Sequence, residues 1–120
     1  MNMTLGTPPQ SVRLQLDTGS SNIVVPSNEA VQCSNSSLCP GGFFTPSNSS
    51  TYRVLSANTF NNTYADRTAY LGDYITDVIG VGDVQLPEGF VPIGLANELV
   101  DGPQTPNDGT GLVGVSYQIM

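Results

Sequence analysis

The sequence predicts an all-β domain, and three observations lead there. Thirteen Gly and nine Pro in 120 residues, together with abundant Ser, Thr and Asn, divide the chain into short segments bounded by turns. Within those segments apolar residues recur at alternate positions, as half-buried strands require. No stretch carries a heptad pattern or the long 3.6-residue periodicity of an amphipathic helix. At this length the chain makes one domain at most, with a modest core.

Taken in order, "TLGTPPQ" ends a strand and turns at Pro8 and Pro9. "SVRLQLD" then alternates, with Val12, Leu14 and Leu16 on one face and Arg13 and Gln15 on the other. The two segments predict a hairpin that arrives at Asp17. "IVVP" reads as a short apolar strand, and residues 27–53, rich in Ser, Asn, Gly and Pro, as surface loop. Cys33 and Cys39 bracket "CSNSSLC" within that loop; two Cys at this spacing in a chain without His suit a disulfide better than a zinc site. Residues 59–86 regain β character and predict a long hairpin with its tip at 66–69, in which Tyr70 and Tyr74 pack on the sheet. "FVPIGLA" and "GLVGVSY" add two apolar segments, separated by a Pro, Gly and Asp-rich loop over 100–110.

Charge narrows the function. The chain has three Arg, no Lys and no His against ten Asp and Glu, a formal charge of −7, and so lacks a basic patch to neutralise phosphates. Nucleic acid is excluded as a partner on this reading. No apolar run approaches the roughly 20 residues that span a bilayer, and "MNMTLGTPPQ" has neither the basic nor the apolar region of a signal peptide. Sequons at Asn2, Asn35, Asn48 and Asn61, with the Cys pair, nevertheless favour a secretory route. A chain with so few basic groups gains little positive charge in acid, which suits work at low pH.

The chemistry centres on "LQLDTGSSNIVVPS", residues 14–27. A carboxyl group in an Asp-Thr-Gly turn is held by backbone N–H groups and hydroxyls, Gly19 removes the Cβ that would block close backbone approach, and Ser20 can donate to the Asp17 carboxylate. Taken alone, Asp17 would read as an Asx turn closing a strand. Its flanks point further.

"LGTPPQ" followed by "DTGSSN" and "VPS" resembles the start of a pepsin-like aspartic endopeptidase, and the resemblance runs over nearly the whole chain. "TYADRTAYLGDYITD" falls where that family has its flap hairpin, and "GLVGV" is similar to the strand that follows. The resemblance implies a β-barrel-like N-terminal lobe over residues 1–120, cut at both ends and lacking its second lobe. It makes Asp17 one of two catalytic aspartates and Thr18 the residue whose hydroxyl links the two active-site loops. Gly19 would allow their close approach and Ser20 would be the outer hydrogen-bond partner of Asp17. Tyr64 would be the flap tyrosine, its alternative being a cross-strand aromatic, and Asp66, Arg67 and Thr68 the flap tip. Polypeptide is the implied substrate, with no cofactor and no metal, and the full-length form is expected to be extracellular or vacuolar.

In such a site two close carboxyls share one proton because both cannot ionise together. The ionised one takes a proton from water that attacks the peptide carbonyl while the protonated one polarises the carbonyl oxygen. This chain departs from the pattern by supplying one Asp-Thr-Gly; Asp101-Gly102 and Asp108-Gly109 lack the intervening hydroxyl. It also has no Trp, so Val24 stands where the family often places an indole that bonds the flap tyrosine, and Arg67 stands where the tip commonly has Gly. The second aspartate would come from the missing C-terminal lobe. Two other readings remain open: a retropepsin-like dimer in which a second copy of the chain supplies it, and an inactive lobe or secreted β module that binds peptides without cleavage.

Overall fold

A computed structural model describes residues 1–18, 21–34, 38–87, 89, 91–104 and 106–114. Nine strands form in them: β1 (Asn2–Leu5), β2 (Gln10–Asp17), β3 (Ile23–Pro26), β4 (Arg53–Thr63), β5 (Ala69–Thr76), β6 (Ile79–Val81), β7 (Val84–Leu86), β8 (Ile93–Val100) and β9 (Gly111–Gly114). They make one open sheet in the order β4-β5-β8-β3-β9-β2-β1-β6-β7. The domain is all-β, in keeping with a pepsin-like N-terminal lobe.

The first hairpin forms as its alternation dictates, β1 and β2 pairing antiparallel with Met3 opposite Val12 and Leu5 opposite Gln10. Val12 and Leu14 are buried, but Leu16, expected on their face, is 58% exposed. The core ends at Leu14; beyond it β2 runs out along β9 toward a surface groove, and Leu16 lines that groove.

One set of buried side chains, Met3, Leu5, Val12, Leu14, Val25, Phe44, Ile75, Ile79, Ile93 and Leu95, forms an aliphatic cluster. It draws on β1 and β8, which three strands separate in the sheet, so the sheet must curl around it. That curl is the barrel-like part of the expected fold; β4 and β7 remain as edges. A second cluster holds Val24, Ala30, Cys33, Cys39, Phe60, Tyr70, Ala96, Leu99 and Leu112, with Phe43, Tyr64 and Tyr74 packed on it. β3 and β8 separate the two, and their successive residues alternate between clusters: Val24 and Ala96 on one side, Val25 and Leu95 on the other. Strands buried on both faces read as continuous apolar runs, which is why "IVVP" shows no alternation.

The loop over 27–53 is less superficial than its composition predicts. Phe44 is fully buried in the aliphatic cluster, and its N–H donates to the Pro26 carbonyl at 2.9 Å. Cys33 and Cys39 are joined in a disulfide and sit in the second cluster. Residues 59–86 divide into two hairpins rather than one: β4 with β5, beginning at Arg53, and the small β6–β7 pair.

The break between them is Asp77, 1% exposed. Its carboxylate accepts hydrogen bonds from Ser49 Oγ at 2.7 Å, Thr51 Oγ1 at 2.5 Å and the Val78 N–H at 2.7 Å. A buried carboxylate needs such donors to offset its lost hydration. Here they fasten the end of β5 to the loop that precedes β4.

Candidate active site

Asp17 is the last residue of β2, and β9 fixes where it ends. β9 lies between β2 and β3, parallel to the first and antiparallel to the second. Asp17 is in register with Gly114, whose N–H donates to the Asn22 carbonyl at 2.8 Å. Both ends of the connection from β2 to β3 are therefore anchored to one residue. Asp17 is half-buried and Thr18 exposed; Gly19 and Ser20 lie outside the described residues.

A groove of about 300 Å³ opens beside Asp17, lined by Gln15, Leu16, Asp17, Tyr64, Asp66, Thr68, Tyr70 and Leu112. The β4–β5 hairpin supplies its opposite wall. Phe60, the one buried residue of β4, packs edge-on against Tyr74 at 5.3 Å between ring centroids. A Cβ built on Gly94 of β8 would strike the Phe60 ring, so this position must lack a side chain.

At the end of the hairpin Tyr64 packs edge-to-face on Tyr70, with centroids 6.0 Å apart. Its hydroxyl accepts a hydrogen bond from Asn62 Nδ2 at 2.9 Å. Partial burial raises the Tyr64 phenol above its usual range and the Asp17 carboxylate raises it further, while the Asn62 hydrogen bond acts in the opposite direction. Tyr64 is thus a neutral donor across the acid and neutral range, within the electrostatic reach of Asp17. Tyr70 donates to the Thr110 carbonyl at 2.9 Å, and burial, with Asp108 next in effect, pushes its phenol far up.

The turn itself is closed by backbone bonds from the Tyr64 N–H to the Thr68 carbonyl and from the Arg67 N–H to the Tyr64 carbonyl, each 2.9 Å. Asp66 Oδ1 accepts from the Thr68 N–H at 2.9 Å and from its hydroxyl at 2.7 Å, and the hydroxyl bond is the chief cause that holds this carboxyl below the usual range. Arg67 sits at φ +68°, the left-handed region that favours glycine. The sequence residues Tyr64, Asp66 and Thr68 are thus brought to the groove beside Asp17, whereas Arg67 lines a neighbouring depression with Pro103 and Gln104. Asn2, Asn48 and Asn61 are exposed, and Asn35 lies outside the described residues.

Asn62, Gln15, Leu16 and Leu112 contribute to this region without having been singled out in the sequence. Asn62 was legible as the residue two before Tyr64, since positions two apart in extended chain share a face.

The family model of eukaryotic aspartyl proteases matches residues 1–120. The chain belongs to that family. Among the chain's relatives, the probable aspartic-type endopeptidase OPSB of Arthroderma benhamiae is 39% identical over 119 residues, covering 98% of this chain and 22% of the relative. Endothiapepsin of Cryphonectria parasitica is 38% identical over 78 residues, 65% of this chain and 18% of its own length. Gastricsin of Cavia porcellus is 38% identical over 86 residues, 72% and 21% respectively. The chain spans about a fifth of the length of the curated relatives it matches.

Proposed function

We propose that this chain is the N-terminal lobe of an aspartic endopeptidase that hydrolyses peptide bonds in proteins at acid pH. The observation that carries the reading is the position of Asp17: strand-anchored, half-buried, and facing a groove whose other wall is a hairpin bearing Tyr64. In this reading Asp17 is one member of a carboxyl pair that shares a proton and activates water. Thr18, Gly19 and Ser20 support its catalytic role. Tyr64 closes over bound polypeptide, with Asp66, Arg67 and Thr68 forming the tip of the closing hairpin.

The second carboxylate belongs to a C-terminal lobe, for which the relatives' greater length leaves room. Membership of a family that includes endothiapepsin and gastricsin supports the chemistry. The Cys33–Cys39 disulfide and the exposed Asn2, Asn48 and Asn61 sequons favour a secreted or vacuolar glycoprotein.

The test is to express the full-length polypeptide and measure hydrolysis of an unfolded protein at acid pH. Asp17→Asn is expected to lower kcat/KM by roughly a thousandfold or more, because residues acting as a unit fail together. A statine-type transition-state analogue is expected to block the wild-type activity. Activity retained by Asp17→Asn overturns the assignment, and peptide binding without turnover in the wild type favours a non-cleaving lobe.

A further inference from the structure

We propose that Asn62 is a positioning residue for Tyr64, fixing the phenol from within its own hairpin so that ring and hairpin move as one body; the inference rests on the peptidase reading above. Three observations converge on it. Asn62 and Tyr64 are two residues apart in extended chain and so project to the same side. Asn62 Nδ2 lies 2.9 Å from the Tyr64 hydroxyl, and both residues are half-buried, where a hydrogen bond is less exposed to competition from water. The strand β3, which contributes Val24 to the cluster on which Tyr64 packs, has the sequence IVVP and so carries no side-chain donor.

Within the hairpin, two groups hold the Tyr64 side chain. Tyr70 on β5 fixes the plane of the ring by an edge-to-face contact, and Asn62 at the end of β4 fixes the hydroxyl. Both belong to the β4–β5 hairpin. An amide carried by the hairpin keeps its bond when the hairpin lifts from or settles onto the groove, whereas an anchor on the sheet floor would release it. Tyr64 thus arrives at substrate already oriented, which reduces the ordering that binding must supply.

The experiment is a double-mutant cycle on the full-length polypeptide, combining Asn62→Leu with Tyr64→Phe and reading kcat/KM for a peptide substrate. Asn62→Leu is expected to lower kcat/KM roughly fivefold in the wild-type background, the scale of one ordinary hydrogen bond, and to have no further effect once Tyr64 is Phe. Equal losses in both backgrounds would assign Asn62 a general structural role and overturn the proposal. A second readout is independent of turnover: NMR titration of the tyrosine phenol carbons, with Tyr64 assigned by its disappearance in Tyr64→Phe. Loss of the donor is expected to move the Tyr64 titration to higher pH, and an unchanged titration overturns the proposal whether or not the polypeptide cleaves peptides. Asn62→Ala, also lacking a donor, gives the same readout if Asn62→Leu misfolds. Asp17→Asn run in parallel reports on the peptidase reading alone.

Discussion

The two sides of the sheet are made of different materials. Around Leu5, Leu14, Ile93 and Leu95 the side chains are almost all aliphatic, and their contribution is complete once water is excluded. Around Phe60, Tyr64 and Tyr70 the packing combines aromatic rings, a disulfide and small residues, and it continues outward to polar atoms at the groove. Neighbouring residues on β3 serve opposite sides, Val25 the first and Val24 the second. The difference teaches that one side supplies cohesion and the other supplies geometry: aliphatic burial is tolerant of direction, whereas ring contacts and hydrogen bonds hold groups at set angles.

Substitutions that fall on one side can test that division. The largest effect is expected from Leu5→Ala, which empties a fully buried site of the aliphatic cluster and should cost about 3 kcal/mol in urea unfolding of the full-length polypeptide. Its kcat/KM per folded molecule should stay within about twofold. Gly94→Ala introduces a Cβ into the Phe60 ring and should cost about 2 kcal/mol. Unlike Leu5→Ala it displaces the hairpin that carries Tyr64, so KM should rise in the folded fraction. Both variants losing stability and activity in the same proportion would break the division.

A smaller loss is expected from Tyr70→Phe, about 1 kcal/mol, because the hydroxyl bond to the Thr110 carbonyl disappears while the ring remains. Smallest is the response of the hairpin tip to acid. The folded Asp66 carboxyl lies below its unfolded value, so its contribution is fully present above the ordinary carboxylate range and is lost as pH falls through the folded value. NMR titration of Asp66 should give a depressed midpoint that returns to the usual range in Thr68→Val. That variant should leave both core clusters unmoved.

Much of this arrangement was legible in the residues themselves. Period-two alternation places β2, and "DTGSSN" with its flanks marks Asp17 as the centre of the site. The same alternation failed at Leu16, because it reports which face a residue occupies and not where along the strand the core stops. Composition failed at Phe44, whose Ser- and Gly-rich surroundings look like surface although the ring plugs the aliphatic cluster. Nothing in the sequence sets Asp77 apart from the other acidic residues, since its donors Ser49 and Thr51 come from another segment. Asn62 could have been paired with Tyr64 by spacing; the bond between them is a matter of side-chain geometry, which spacing does not supply.

The insertion of β9 between β2 and β3 has a consequence for synthesis. A nascent chain that has emerged through β8 already holds eight of the described strands, yet β2 and β3 still lack the ladder that joins them. Their facing N–H and C=O groups wait for β9, so Asp17 acquires its Gly114 anchor after the other eight described strands have been translated. Pairings between distant segments form slowly and leave strand edges open meanwhile. The carboxylate on which the proposed chemistry depends thus reaches its place only once β9 has joined the eight strands that precede it, and a chain interrupted before β9 would carry two unsatisfied edges beside Asp17.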